Sequence, residues 1–149
     1  MRFTLTALTD IWTGDVNRRA DRLRPTGIKG SIRWWYEAVV RGLGGYACDP
    51  RSQQGCRLSS QTTDPKTEIC PVCYLFGCTG WRSKFNLQIL SATSDEVVQT
   101  EPIQRNEMFS LILVETKSVD PPEYHLLQTV LRVIVDYGAL GGRSALMTS

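Results

Sequence analysis

The stretch from Asp21 to Gly45, DRLRPTGIKGSIRWWYEAVVRGLGG, constrains the fold more than any other, because the start, the buried face and the stop of one helix are all written in it. Pro25 and Thr26 break the preceding segment and leave Thr26 or Ser31 to cap the first turn. Ile28, Ile32, Trp35, Val39 and Leu43 then recur at helical spacing and predict one apolar face. Gly44 and Gly45 close the helix. On the adjoining face Lys29, Arg33, Glu37 and Arg41 follow one another at four-residue intervals, so Glu37 can pair with either arginine and the surplus charge is positive.

Gly27 and Gly30 each cost a helix interior about 1 kcal/mol relative to alanine and so require a reason. A helix start offers unpaired amide donors and the positive end of the dipole, which makes a Gly-Lys-Gly-Ser turn suited to a phosphate such as RNA or DNA carries. The same glycines also fit an ordinary amphipathic helix that packs closely on a sheet, and this stretch alone leaves both readings open.

A chain of 149 residues suffices for one domain with a full core and is short for two. With 42% hydrophobic and 21% charged residues, wholesale disorder is excluded. A net charge of +2 means that a nucleic-acid binder must concentrate its cations locally, as Arg18, Arg19, Arg22, Arg24, Lys29 and Arg33 do. No apolar run approaches a membrane span, and Met1 leads through Arg2 into a strand pattern instead of a signal peptide. The expectation is a cytoplasmic protein with no membrane partner. Five cysteines, an odd number in a reducing compartment, favour metal ligation over disulfides.

Alternation predicts strands over Arg2–Leu8, around Phe85, Leu87 and Ile89, and over Met108–Glu115. Thr9–Arg24 reads as a long mobile loop that is disordered without a ligand, and Ser94–Asn106 as turn material. Ala47–Ile69 holds almost nothing fit for a core and reads as an insertion, while Trp81–Lys84 is basic and aromatic. Pro121 and Pro122 open a second helix with Leu127, Val130, Leu131 and Ile134 on its apolar face, ended by Tyr137 and Gly138. The expected fold is α+β: strand, helix, strand, strand, helix, asking for one more strand to complete a ferredoxin-like (RRM-like) split βαβ sheet. Only Ser144–Ser149, after the glycine-rich turn at Gly138, Gly141 and Gly142, remains for that strand, so it is short or truncated.

Cys70-Pro-Val-Cys73 is a two-residue-spaced pair whose proline favours a tight knuckle, and thiolates at this spacing suit two corners of a zinc tetrahedron. Cys48 and Cys56, at the other end of the insertion, supply the second pair, because closing that loop orders a segment without a core. Zinc is expected on Cys48, Cys56, Cys70 and Cys73, with Cys78 a packed thiol beside Leu75, Phe76 and Gly77 and a competitor for one ligand position. His125 lies far from these cysteines in sequence and is left out.

Taken in order, Leu23-Arg24-Pro25 with Gly27-Ile28-Lys29-Gly30-Ser31-Ile32-Arg33-Trp34-Trp35, then Cys70–Gly77, Thr79-Gly80-Trp81 and Gly138–Arg143, resemble the RAMP superfamily of CRISPR effector subunits, most closely the first subunit of the Cmr-type (type III-B) complex. The resemblance implies an RRM-like fold that holds guide RNA and helps capture target RNA inside a multi-subunit ribonucleoprotein. It also implies that residues 1–149, with the cysteine-rich insertion at 46–80, form the N-terminal part of a longer protein. Carried over by position, Lys29, Ser31, Arg33 and Arg143 would contact guide phosphates, and Trp12, Trp34 and Trp81 would stack on bases or riboses, with Trp34 also a candidate for the core. Arg18, Arg22, Arg24, Arg82 and Lys84 complete the expected RNA-binding set. Hydroxyl, cationic and backbone donors of this kind hold a phosphate without reading sequence. Two other functions fit the residues: a metal-dependent RNA endonuclease using Asp15 or Asp21 of the loop, and a zinc-stabilised protein-interaction module.

Overall fold

The computed structural model describes residues 1–14, 23–50, 52–61, 63–91 and 102–141. Its elements are β1 (Arg2–Thr6), α1 (Pro25–Gly42), α2 (Pro65–Glu68), α3 (Pro71–Phe76), β2 (Phe85–Ser91), β3 (Met108–Glu115) and α4 (Pro121–Tyr137). The three strands form one sheet in the order β1-β3-β2, and β1 runs antiparallel to β3 with Arg2 opposite Ile112 and Thr6 opposite Met108. The fold is α+β, and this strand order is that of a ferredoxin-like sheet, whose fourth strand would lie beyond β1. The segment expected to form it, Ser144–Ser149, lies outside the described residues.

Alternation places Phe85, Leu87 and Ile89 of β2 and Phe109, Leu111 and Leu113 of β3 on the buried side. On the other side Ser110 is also buried, its hydroxyl receiving Arg2 Nε at 3.2 Å and lying 3.2 Å from Thr4 Oγ1. The residues after β1 are more ordered than a mobile loop. Ile11 pairs with Ile103, its amide donating to that carbonyl at 2.8 Å, and the Asp10 carboxylate accepts the Arg105 amide at 2.8 Å. Residues 15–22 of that expected loop fall outside the description.

Helix α1 starts at Pro25, which suits a first helical position because its missing N–H has no partner there anyway. Thr26 and Ser31 are therefore inside the helix and are not its caps. Its buried face runs through Ile28, Ile32, Tyr36 and Val40, whereas Trp35 and Val39 are half-buried and Leu43 is 74% exposed. Steps of three and four residues fit both rows equally well up to Ile32. The packing of Tyr36 edge-on to Phe76, with ring centroids 5.3 Å apart, selects the second row.

The chain divides into two compact units. The first comprises Met1–Ile32, Leu87–Val114 and the residues from Val133 onward, and the second comprises Arg33–Asn86 and Glu115–Arg132. In the first, Leu23, Ile28, Ile89, Ile103 and Leu111 are almost wholly buried; in the second, Tyr36, Val72, Leu75, Phe85, Leu127 and Val130 are. Helix α4 buries Leu127, Val130, Leu131 and Ile134, the four residues its spacing predicts. Helix α3 was not legible as a helix. It occupies the place expected for a knuckle, buries Val72, Cys73, Leu75 and Phe76, and stops at Gly77 (φ +95°), where a Cβ would come within 2.8 Å of the Ser83 amide nitrogen. Among the described residues no helix is long and apolar enough to cross a membrane.

Candidate metal centre and nucleic-acid contacts

Within the second unit, Cys48, Cys56, Cys70 and Cys73 present sulfur atoms that all lie within 4.8 Å of one another, and they can hold a metal ion. Cys70 caps α3, its Sγ accepting the Cys73 amide at 3.4 Å, so the Pro71 start of that helix aims both thiols the same way. The Cys70 amide donates to Cys56 Sγ at 3.3 Å, and Cys48 Sγ lies 3.4 Å from Cys73 Sγ. All five cysteines are free thiols. A tetrahedron with Zn–S bonds of about 2.3 Å has sulfur–sulfur edges of about 3.8 Å, so the set is already at the scale of one zinc ion. Amide N–H groups directed at sulfur favour the thiolate form that binds metal.

Four thiols this close cannot all ionise unaided. The hydrogen bond from the Cys73 side chain holds Cys70 well below the usual thiol range, down to about 4, and the same bond pushes Cys73 up. Burial pushes Cys56 up to about 11. Cys78 stays outside the set. Its thiol points at the Thr79 carbonyl, 3.6 Å away, and burial raises its pKa. It nevertheless lines a cavity of about 180 Å³ with Cys48, Cys56, Cys73, Arg33 and Arg57.

The residues expected at RNA fall into different surroundings. In the first unit, the Gly27 and Ile28 amides both donate to the Arg24 carbonyl, at 2.9 and 3.2 Å, and the half-buried Arg24 gives its own amide to Thr13 Oγ1 at 2.7 Å. A Cβ on Gly27 would meet Thr13 carbons at 3.0 Å, whereas one on Gly30 meets none of the described residues within 4 Å. Both glycines are exposed, but a side chain at Gly27 would point at buried Thr13, so Gly27 serves close packing there. Lys29 is half-buried, and Ser31 Oγ receives the amide of Gly141 at 3.3 Å, which brings the glycine-rich turn onto the helix start. Gly141 itself (φ +89°) has no room for a Cβ beside the Trp12 carbonyl. Arg18, Arg22 and Arg143, like Asp15 and Asp21, lie outside the described residues.

In the second unit Trp34 is 61% exposed, edge-on to Trp35, and Arg82 is exposed. Two expected contacts are turned inward. Lys84, placed by sequence in a basic surface patch, is 2% exposed, and its ammonium pairs with Glu123 at 2.7 Å beneath the Tyr74 ring. Arg33 donates to Glu37 Oε1, the Gly77 carbonyl and Cys73 Sγ. Trp81 has both faces taken, stacked 5.4 Å from Tyr74 on one side and capped by Lys117 on the other, with its Nε1–H donated to the Tyr74 carbonyl. Sequence reasoning missed this column because the turn at Gly80 (φ +83°), which folds Trp81 back so that Cys78 and Trp81 exchange amide hydrogen bonds, sets it.

Strand order, helix placement and thiol tetrad together define an RRM-type α+β protein with a metal-competent cysteine knuckle. The family profile described as the RAMP superfamily matches residues 4–146, and the chain belongs to that superfamily. It shares its fold with the crystal structure of Cmr1 from Pyrococcus furiosus in apo form, at 17% identity and a TM-score of 0.59, over 96% of this chain and 45% of that one. It is similarly close to a chain of a type IV-B CRISPR complex, at 17% identity and a TM-score of 0.60, over 97% of this chain and 86% of that one. The chain thus spans less than half the length of the Cmr1 structure. No curated protein matches its sequence.

Proposed function

We propose that this chain is a non-catalytic, RNA-binding subunit of a cytoplasmic CRISPR effector ribonucleoprotein of the Cmr kind, which holds guide RNA and helps capture target RNA among other protein subunits. The observation that carries the reading is the superfamily match across residues 4–146, joined to a fold shared with Cmr1 and with a chain of a type IV-B CRISPR complex. In this reading residues 1–149 are an RRM-like RAMP domain forming the N-terminal part of a longer protein, with 46–80 as its cysteine-rich insertion. Lys29, Ser31, Trp34, Arg24 and Arg82 contribute RNA contacts in this reading, and Arg18, Arg22 and Arg143 extend them. Cations and hydroxyls fix the sugar-phosphate chain, and base pairing within the RNA supplies sequence selection. Zinc on Cys48, Cys56, Cys70 and Cys73 is structural, ordering the insertion around four thiolates.

Recovery of the chain with its natural partners tests the class. Small RNA of uniform length and one zinc per chain are expected, and a preparation free of RNA overturns the reading. Charge reversal at Lys29 is expected to weaken single-stranded RNA binding at low salt roughly tenfold, with the loss shrinking as salt rises. Magnesium-dependent RNA cleavage abolished by Asp15→Ala or Asp21→Ala would overturn the non-catalytic part. Zinc without any RNA affinity would leave a protein-interaction module.

A further inference from the structure

The four-residue spacing of Arg33, Glu37 and Arg41 places all three on one face of α1 within the second unit. The sequence predicts that Glu37 pairs with either arginine and that the face carries surplus positive charge, with Arg33 expected at a guide phosphate. The structure buries its centre. Glu37 is 6% exposed; its Oε1 accepts a hydrogen bond from Arg33 Nε at 3.0 Å, and its Oε2 forms an ion pair with Arg41 Nη2 at 3.6 Å.

Each arginine then reaches a different half of the thiol tetrad. Arg33 gives Nη2 to Cys73 Sγ at 3.3 Å and Nη1 to the Gly77 carbonyl at 2.9 Å. Arg41 gives Nη2 to the carbonyls of Ala47 and Cys48, both at 3.1 Å, and Nε to that of Ala47 at 3.3 Å. Cys48 and Cys73 are 25 residues apart in the chain, and their sulfurs stand 3.4 Å apart. One carboxylate thus joins two forks that hold the two sequence-distant sides of the site.

The charges agree with this placement. Four thiolates around a divalent ion leave two net negative charges, and a guanidinium at one sulfur offsets one of them. A buried carboxylate is costly unless paired, and here two cations fix its position. Partners of metal ligands set the orientation and basicity of those ligands.

We infer that Arg33, Glu37 and Arg41 form the outer shell of the cysteine centre, positioning residues that tune metal affinity, and that Arg33 and Arg41 are not RNA contacts. This rests on the metal-binding part of the proposed function. The test uses the full chain loaded with zinc or with cobalt, whose thiolate charge-transfer absorption reports on the Cys73 sulfur. Arg33→Met is expected to lower zinc affinity 10- to 100-fold in competition with a chelator and to shift the cobalt–thiolate band, with Arg33→Lys restoring part of both. Arg41→Met, which removes contacts to the Ala47 and Cys48 carbonyls and keeps that of Arg33 to the Cys73 sulfur, is expected to lower zinc affinity less and to leave the band in place. RNA affinity of the zinc-loaded Arg33→Met and Arg41→Met proteins should match that of the unaltered chain.

If the unaltered chain binds neither metal, the metal reading itself fails. If it binds both and Arg33→Met retains full affinity with an unshifted band, the outer-shell inference alone fails. Should Arg33→Met not fold, Arg41→Met decides: unchanged zinc affinity, or a loss of RNA affinity with zinc retained, overturns the inference.

Discussion

The two compact units are held by different means. The first rests on a strand ladder and aliphatic burial, with β1 registered on β3 over Arg2–Thr6 and Ile28, Ile89 and Leu111 sealed from solvent. In the second, no described residue between Asp49 and Glu68 is buried. Its helices α2 and α3 have four and six residues, far below the roughly 12–15 at which an isolated helix is even marginal. What orders that stretch is sulfur and charge: the thiol tetrad, the Asp64 cap on the Lys66 amide, and the Lys66–Asp120 pair. A region without its own core borrows order from directional contacts, and here the exposed Lys66–Asp120 pair adds little beside the thiol tetrad, whose loss should release the stretch.

Metal removal should divide the units most sharply. Structural zinc contributes about 10–16 kcal/mol in peptides that fold only around it, so if the tetrad holds such an ion, chelating it, or introducing Cys70→Ser with Cys73→Ser, is expected to cost the second unit several kcal/mol. Hydrogen exchange should show protection lost across 46–80 and kept in β1 and β3. Equal loss in both would mean the two units unfold as one.

The next largest effect concerns the ion pair inside the second unit. Glu123→Ala takes from the buried Lys84 ammonium its hydrogen-bonded carboxylate, leaving the Tyr74 ring face and the more distant Asp120, and a buried charge robbed of its partner costs about 3–5 kcal/mol. Lys84→Met combined with Glu123→Leu removes both charges and should recover most of that loss, read from urea midpoints. If the single variant were harmless, the claim that charge orders this unit would be wrong.

Legibility divides between apolar patterns and cysteine spacing on one side and long cationic side chains on the other. The strands could be read because Phe85, Leu87 and Ile89 alternate, and α4 because Leu127, Val130, Leu131 and Ile134 leave only one face to bury. The four cysteines of the tetrad were legible because closing a coreless loop requires ligands at both its ends. The cations were not. Arg33 and Lys84 have stems long enough to turn inward or outward, and their destinations depend on Glu37, Cys73 and Glu123, partners that spacing alone does not bring together. Tyr36 was passed over for Trp35 because neighbours one step apart on a helix differ by a rotation that only the packed partner, Phe76, resolves.

Tyr36 offers a smaller test that depends on pH. Burial, and then the charge of Glu123, raise its phenol above the ordinary value of 10.0. A raised value in the folded state means that the stabilising contribution is complete below pH 10 and falls as the pH rises above it, by about 1.4 kcal/mol per unit. Tyr36→Phe should remove this alkaline loss from the second unit. An unchanged profile between pH 10 and 11 would show that the phenol reaches solvent.

The smallest expected effects lie at the two glycines of α1 in the first unit, and they carry opposite signs. Alanine at a helical glycine gains about 1 kcal/mol where space permits. At Gly30 no atom of the described residues lies within 4 Å of the new carbon, so Gly30→Ala should stabilise by about that amount. At Gly27 the carbon would press on Thr13 at 3.0 Å. Thr13 is 2% exposed and holds the Arg24 amide, so it has little freedom to yield and Gly27→Ala should destabilise by about 1 kcal/mol. The same pair separates packing from binding. If a sugar-phosphate chain approaches the open side of the helix start, Gly30→Ala should raise the melting temperature while weakening single-stranded RNA binding. A stabilised Gly30→Ala protein with undiminished affinity would leave both glycines a purely structural role and move the RNA path away from this turn.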